Sequence, residues 1–158
     1  MTEIYGLRLA YRGLIAGLAG GYVWLAVAML MTWPITGPLS PVHLLAAVGP
    51  PHLASAPGAS FVLALVLVEL TAGAMGLGFA YFLGRYFTVR RTLAAAGPCF
   101  ALLAWLSVSE RLGVARLPLG VQVGLAFATL LYGTLLGASV PVRPELMRTT
   151  ANPIRSAG

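Results

Sequence analysis

Apolar residues dominate this chain in long unbroken stretches, not at every second or fourth position. The stretches run over Gly13–Trp33, Ser60–Leu83, Thr92–Ser109 and Leu119–Val140. Each is near the ~20 residues that a helix needs to cross about 30 Å of hydrocarbon. Polar residues collect between them. The pattern therefore predicts an all-α fold, a four-helix transmembrane bundle. In the first connection, Ser40-Pro41 has the form of an N-cap followed by proline at the first helical position, and Gly49 that of a stop. A short interfacial helix over Pro41–Val48 is expected there, flat on the membrane surface. The domain organisation that follows is an N-terminal segment 1–12, a membrane domain 13–140 and a proline-broken tail 141–158. Ala26-Val27-Ala28 imitates a signal-peptide cleavage site. The apolar run around it exceeds the roughly 7–15 residues of such a peptide, so the first span is expected to be retained.

Composition sharpens this picture. Hydrophobic residues make up 59% of the chain and charged residues 9%, against about a quarter charged in a soluble domain. Such a chain cannot cover a water-facing surface. The basic balance is carried by ten arginines against four glutamates, with no lysine or aspartate. Nucleic-acid binding calls for a clustered basic face, whereas these arginines sit at the ends of apolar runs. Arg8, Arg12, Arg85, Arg90, Arg91, Arg143, Arg148 and Arg155 fall on one side of an even-span topology, and only Arg111 and Arg116 on the other. By the positive-inside rule both termini are expected in the cytoplasm and the chain in the cytoplasmic (inner) membrane. Tyr5, Tyr11, Tyr81, Tyr86 and Phe87 gather at the inner boundary on this reading, and Trp33 marks the outer one. The single Cys99 excludes an intrachain disulfide and a multi-cysteine metal site. Lying in an apolar run, it is expected to be an inert buried thiol.

Small residues mark the faces expected to pack. Gly13, Gly17 and Gly21 form successive small-xxx-small steps on the first span, and Gly120 with Gly124, and Gly133 with Gly137, do so on the fourth. Such residues let backbones approach where lipid gives no hydrophobic drive for association.

Against this background one residue stands out. Glu69 sits in the middle of the second apolar run, about nine residues or ~13 Å inside its outer end at 1.5 Å per residue. Its same-face neighbours at helical spacing are Ala72, Gly73, Gly76 and Ala80, all small, while Leu63, Leu67, Leu70, Ala74 and Leu77 form the opposite, lipid-facing stripe. Glu69 should therefore face another helix. A carboxyl group at that depth is costly and must keep its proton or find a donor. On the first span the face through Gly13, Gly17 and Gly20 continues to Trp24, at the depth expected for Glu69. Trp24 Nε1 is the expected donor to Glu69, with Tyr22 and Tyr132 in reserve. Two roles stay open for Glu69: a proton relay or ion site, and a packing contact inside the bundle or with another subunit. No second acid, lysine or histidine occurs inside a span.

The first connection, from Pro34 to Ala59, has no charged residue and holds the only histidines, His43 and His52. It suits lipid headgroups or a partner protein better than free water. His43, His52, Leu44, Leu45 and Trp33 are the candidate partner or lipid contacts. The histidine spacing matches no standard metal site, and no cofactor is expected, although haem ligation by one of them is a minor alternative. The chain has no HExxH, Gly-x-Ser-x-Gly or phosphate-loop signature.

The stretch "RGLIAGLAGGYVWLAVAMLM", the proline-rich connection and the glycine-rich second span together resemble small four-helix membrane proteins of bacteria and the supernumerary subunits of respiratory complexes. The uncharged outer connection, the small-residue faces and the lack of catalytic motifs, together with this resemblance, lead to the expectation of a non-catalytic accessory subunit of a larger, energy-converting membrane complex, with lipids and other integral subunits as partners. The alternatives are a small oligomeric transporter or channel using Glu69, and a haem- or quinone-binding redox subunit using His43 or His52.

Overall fold

The structure, a computed structural model, describes residues 2–50, 57–84, 86–87 and 89–140. Its elements are α1 (Thr2–Thr36), α2 (Ser40–Ala46), α3 (Pro57–Phe79), α4 (Arg90–Ser109) and α5 (Leu119–Ser139). A single π-helical turn, Ala80–Gly84, extends α3, and a 3₁₀ turn, Val114–Arg116, precedes α5. Helices α1, α3, α4 and α5 are each long and apolar enough to cross a membrane, and the protein is a multi-pass, all-α bundle. The expected spans match these helices closely except at the start. With 35 residues, α1 is ~52 Å long at 1.5 Å per residue, well beyond the hydrocarbon thickness.

The four long helices pack as a row in the order α3, α1, α5, α4, and α3 and α4 scarcely touch although they are consecutive. Small residues build all three interfaces. Between α1 and α3, a Cβ at Gly17 would strike the Ala72 carbonyl, and one at Gly13 would strike Ala80 and the Gly76 carbonyl. From the other side, a Cβ at Gly76 would meet the Gly13 carbonyl and lie 2.7 Å from Gly17 Cα. Gly73 takes the Leu14 and Leu18 side chains. Between α1 and α5, Gly120 and Gly124 receive Ile35 and Met31, and Gly20 receives the Tyr132 ring. Between α4 and α5, Gly97 lies on the Gly133 carbonyl and Gly137 on the Ala94 carbonyl. Pro98 has no N–H to bond the Ala94 carbonyl in the regular helical pattern, and Gly137 approaches α4 at that carbonyl. Backbone-to-backbone contact of this kind substitutes dispersion for the hydrophobic effect.

The short helix begins at Ser40, one residue earlier than expected, with Leu39 in the N-cap position and no side-chain cap. Proline at its second residue starts it without losing a helical hydrogen bond. Gly37, at φ 89°, makes the turn out of α1. Pro41, Val42 and Ala46 are buried, where α2 lies on α3 and α1. Cys99 departs from expectation. It is exposed, because Gly97 and Ala101 of α4 turn toward α5 and leave Cys99 on the outer face.

Candidate functional site

Glu69 faces α1, as its small neighbours require: Ala72, Gly73, Gly76 and Ala80 are all buried. Of the opposite stripe, Leu70, Ala74 and Leu77 are exposed, whereas Leu63 and Leu67 are half-buried by α2 and by the cleft described below. The expected pairing with Trp24 does not form. Glu69 Oε1 lies beside Gly21, 3.2 Å from where a Cβ on that glycine would stand. It is buried with no hydrogen-bond partner, alone in that respect among the described side chains.

The indole of Trp24 is turned the other way. Its Nε1 donates to Thr129 Oγ1 on α5 at 3.0 Å, and Thr129 in turn donates to the Leu125 carbonyl at 2.9 Å. The reserve donors do not bond the buried carboxyl oxygen either. Tyr132 gives its hydroxyl proton to the Ala72 carbonyl at 2.9 Å, and Tyr22 is 57% exposed. The reason is angular. Gly17 and Gly21 point at α3, but Gly20 and Trp24 sit about 60° around the same helix, at 100° per residue, and point at α5. Thr129 is hard to see in sequence, since a threonine that bonds its own helix backbone carries no periodic signal.

Trp24 and Tyr132 also floor a cleft of about 200 Å³ where α3 and α4 diverge. Its walls include Thr71 and Met75 of α3 and Ala101 and Ala104 of α4, while Leu45 of α2 and Leu112 close one end. The Trp105 ring lies 5.9 Å from that of Trp24, centroid to centroid, tilted by 51°. Beyond the other end, Phe79 and Phe100 bridge the two walls at 5.4 Å. Most polar side chains on this lining are engaged: Thr71 bonds the Leu67 and Val68 carbonyls, and the Trp24, Thr129 and Tyr132 donors are spent as described, while the Trp105 indole makes only its ring contact with Trp24.

The candidates from the first connection scatter. Leu45 joins the cleft, Leu44 is half-buried beside it, His43 is exposed on α2, and Trp33 is 63% exposed. His52 lies outside the described residues. No group of three histidine, cysteine or acidic side chains able to hold a metal occurs among the described residues.

The Trp24–Thr129 bond makes a testable point. In Thr129→Val the shape is kept but the indole N–H is left buried without an acceptor, which costs about 1–3 kcal/mol. Thr129→Ser restores an acceptor and should recover most of that loss. Apparent melting points in detergent are the readout. Equal melting of the valine and serine variants would show that the bond contributes nothing.

No protein family, characterised protein or solved structure matches the chain.

Proposed function

We propose that this protein is a non-catalytic accessory subunit of a larger, energy-converting membrane complex in a bacterial cytoplasmic membrane, with both termini cytoplasmic. The observation that carries this reading is Glu69. One carboxyl oxygen is shut in against Gly21 without a donor, and the donors within reach along the chain are committed elsewhere. The residue as a whole is only partly buried. A donor on a neighbouring subunit can therefore reach the group from outside the bundle. An intramembrane carboxyl group left without such a partner costs several kcal/mol, so a complementary surface is the economical explanation for its presence. The α1–α3 and α4–α5 interfaces, built backbone against backbone, suit a rigid packing element.

A transporter or channel through Glu69 has less support, because no second acid, lysine or histidine stands with it inside the described spans. A redox subunit has less again. His43 is exposed on α2 with no second histidine among the described residues, and the cleft keeps only the Trp105 N–H unbonded to meet the two carbonyls of a quinone.

Purification from native membranes in mild detergent tests the proposal. Other integral subunits are expected to co-purify in fixed ratio. A lone homo-oligomer would overturn the reading in favour of transport, and a Soret band in favour of haem.

A further inference from the structure

We infer that the cleft between α3 and α4 binds a phospholipid, with one acyl chain in the cleft and its phosphate at Arg111. This site does not rest on the partner reading, since Glu69 does not line the cleft, although Gly21 borders both.

Three properties of the cleft select hydrocarbon. It is a separation between two membrane-spanning helices that scarcely touch, so its natural surroundings are lipid tails. Its volume of about 200 Å³ exceeds the ~150 Å³ of an apolar cavity that stays dry yet accepts benzene. And the Thr71, Trp24, Thr129 and Tyr132 donors are already spent on Thr129 Oγ1 or backbone carbonyls, so the lining offers water or a polar ligand no free donor beyond the Trp105 N–H. An acyl chain needs none. The Phe79–Phe100 pair bounds the cleft toward one end of the bundle, and Leu45, Val48 and Leu112 toward the other.

Charge settles what lies at that second end. Leu112 belongs to the turn after α4, and its neighbour Arg111 is exposed, as is Arg116 a few residues on. Glu110, also exposed, offsets one of these two charges. The whole connection 34–59, which supplies α2 over the same end, has no charged side chain. The local balance is thus positive and unopposed from α2, and an anionic headgroup complements it. A guanidinium also matches phosphate geometry better than any other side chain.

The tryptophans make the site measurable. In a Trp33→Phe background the emission comes from Trp24 and Trp105, both on the cleft. The full chain in nonionic detergent is titrated with phosphatidylglycerol whose acyl chains are brominated, a contact quencher. Saturable quenching at equimolar lipid, reversed by unbrominated phosphatidylglycerol, is the expected result. Ala104→Phe, which fills a partly exposed position on the wall, should remove the saturable phase while circular dichroism and elution volume stay unchanged. Arg111→Gln should raise the half-saturating concentration about fivefold, as one interfacial arginine–phosphate contact implies. Quenching that merely tracks the lipid-to-detergent ratio, or that is the same in folded Ala104→Phe and Arg111→Gln, would mean ordinary lipid contact and would overturn the site.

Discussion

Gly76→Leu is expected to destroy the folded bundle, while Gly78→Ala, two residues away on the same helix, leaves its stability within about 0.5 kcal/mol. The contrast comes from what a side chain would meet. At Gly78 a Cβ finds nothing within 4 Å. At Gly76 it runs into the Gly13 carbonyl and comes within 2.8 Å of the Gly17 backbone nitrogen. A clash with a flexible side chain can be relieved by a rotamer change, but here the obstacles are main-chain atoms of a helix that cannot yield locally. Helices α1 and α3 must then separate along their length, releasing Gly13, Gly17 and Gly21 from their contacts together. Overpacking typically costs 1–3 kcal/mol where side chains can adjust; we expect at least about 3 kcal/mol here. Tryptophan fluorescence during heating in mild detergent, with elution volume as a control, measures the difference. If Gly76→Leu melts with Gly78→Ala, the α1–α3 interface is not as described.

Glu69→Met should act in opposite directions on the isolated chain and on its complex. Methionine is close to glutamate in length and carries no group that needs a donor. Removing a carboxyl oxygen that is buried and unpaired should stabilise the purified chain by about 1–3 kcal/mol, seen as a higher apparent melting point. The same substitution removes the acceptor offered to a neighbouring subunit, so co-purification should fail. Glu69→Gln keeps a hydrogen-bonding side chain that cannot carry protons, and is expected to retain the complex. Destabilisation of the isolated chain by methionine would show that the carboxyl group already has a partner within it. Intact assembly of Glu69→Gln with lost transport or turnover would sink the structural role and favour a relay.

Much of the architecture was legible in the chain. Length and apolarity of four runs are enough to place four spans, because a bilayer leaves a helix few alternatives to satisfying its own backbone. The boundaries of the last three helices fall within a few residues of those expected. The start of α1 does not: charges and tyrosines between Thr2 and Gly13 end the hydropathy signal, but nothing there breaks a helix. The small neighbours of Glu69 correctly pointed it at another helix, and the Ser40-Pro41 step announced α2. The expected burial of Cys99 failed, since inside a membrane an apolar neighbourhood in sequence is shared by lipid-facing and bundle-facing positions alike.

The chain by itself determined that this is a helical membrane protein, which residues are small enough to let helices meet, and that a single acid lies at mid-span. Those are local properties, set by composition and by 3.6-residue spacing. Tertiary structure alone decided how the faces pair. A rotation of about 60° around α1 separates the side that meets α3 from the side that meets α5. That rotation gives Trp24 to Thr129, leaves Glu69 beside a bare glycine, and sets α3 and α4 apart so that a cleft opens between helices adjacent in sequence. Periodicity says which residues share a face, but the partner of each face follows from packing all four helices at once.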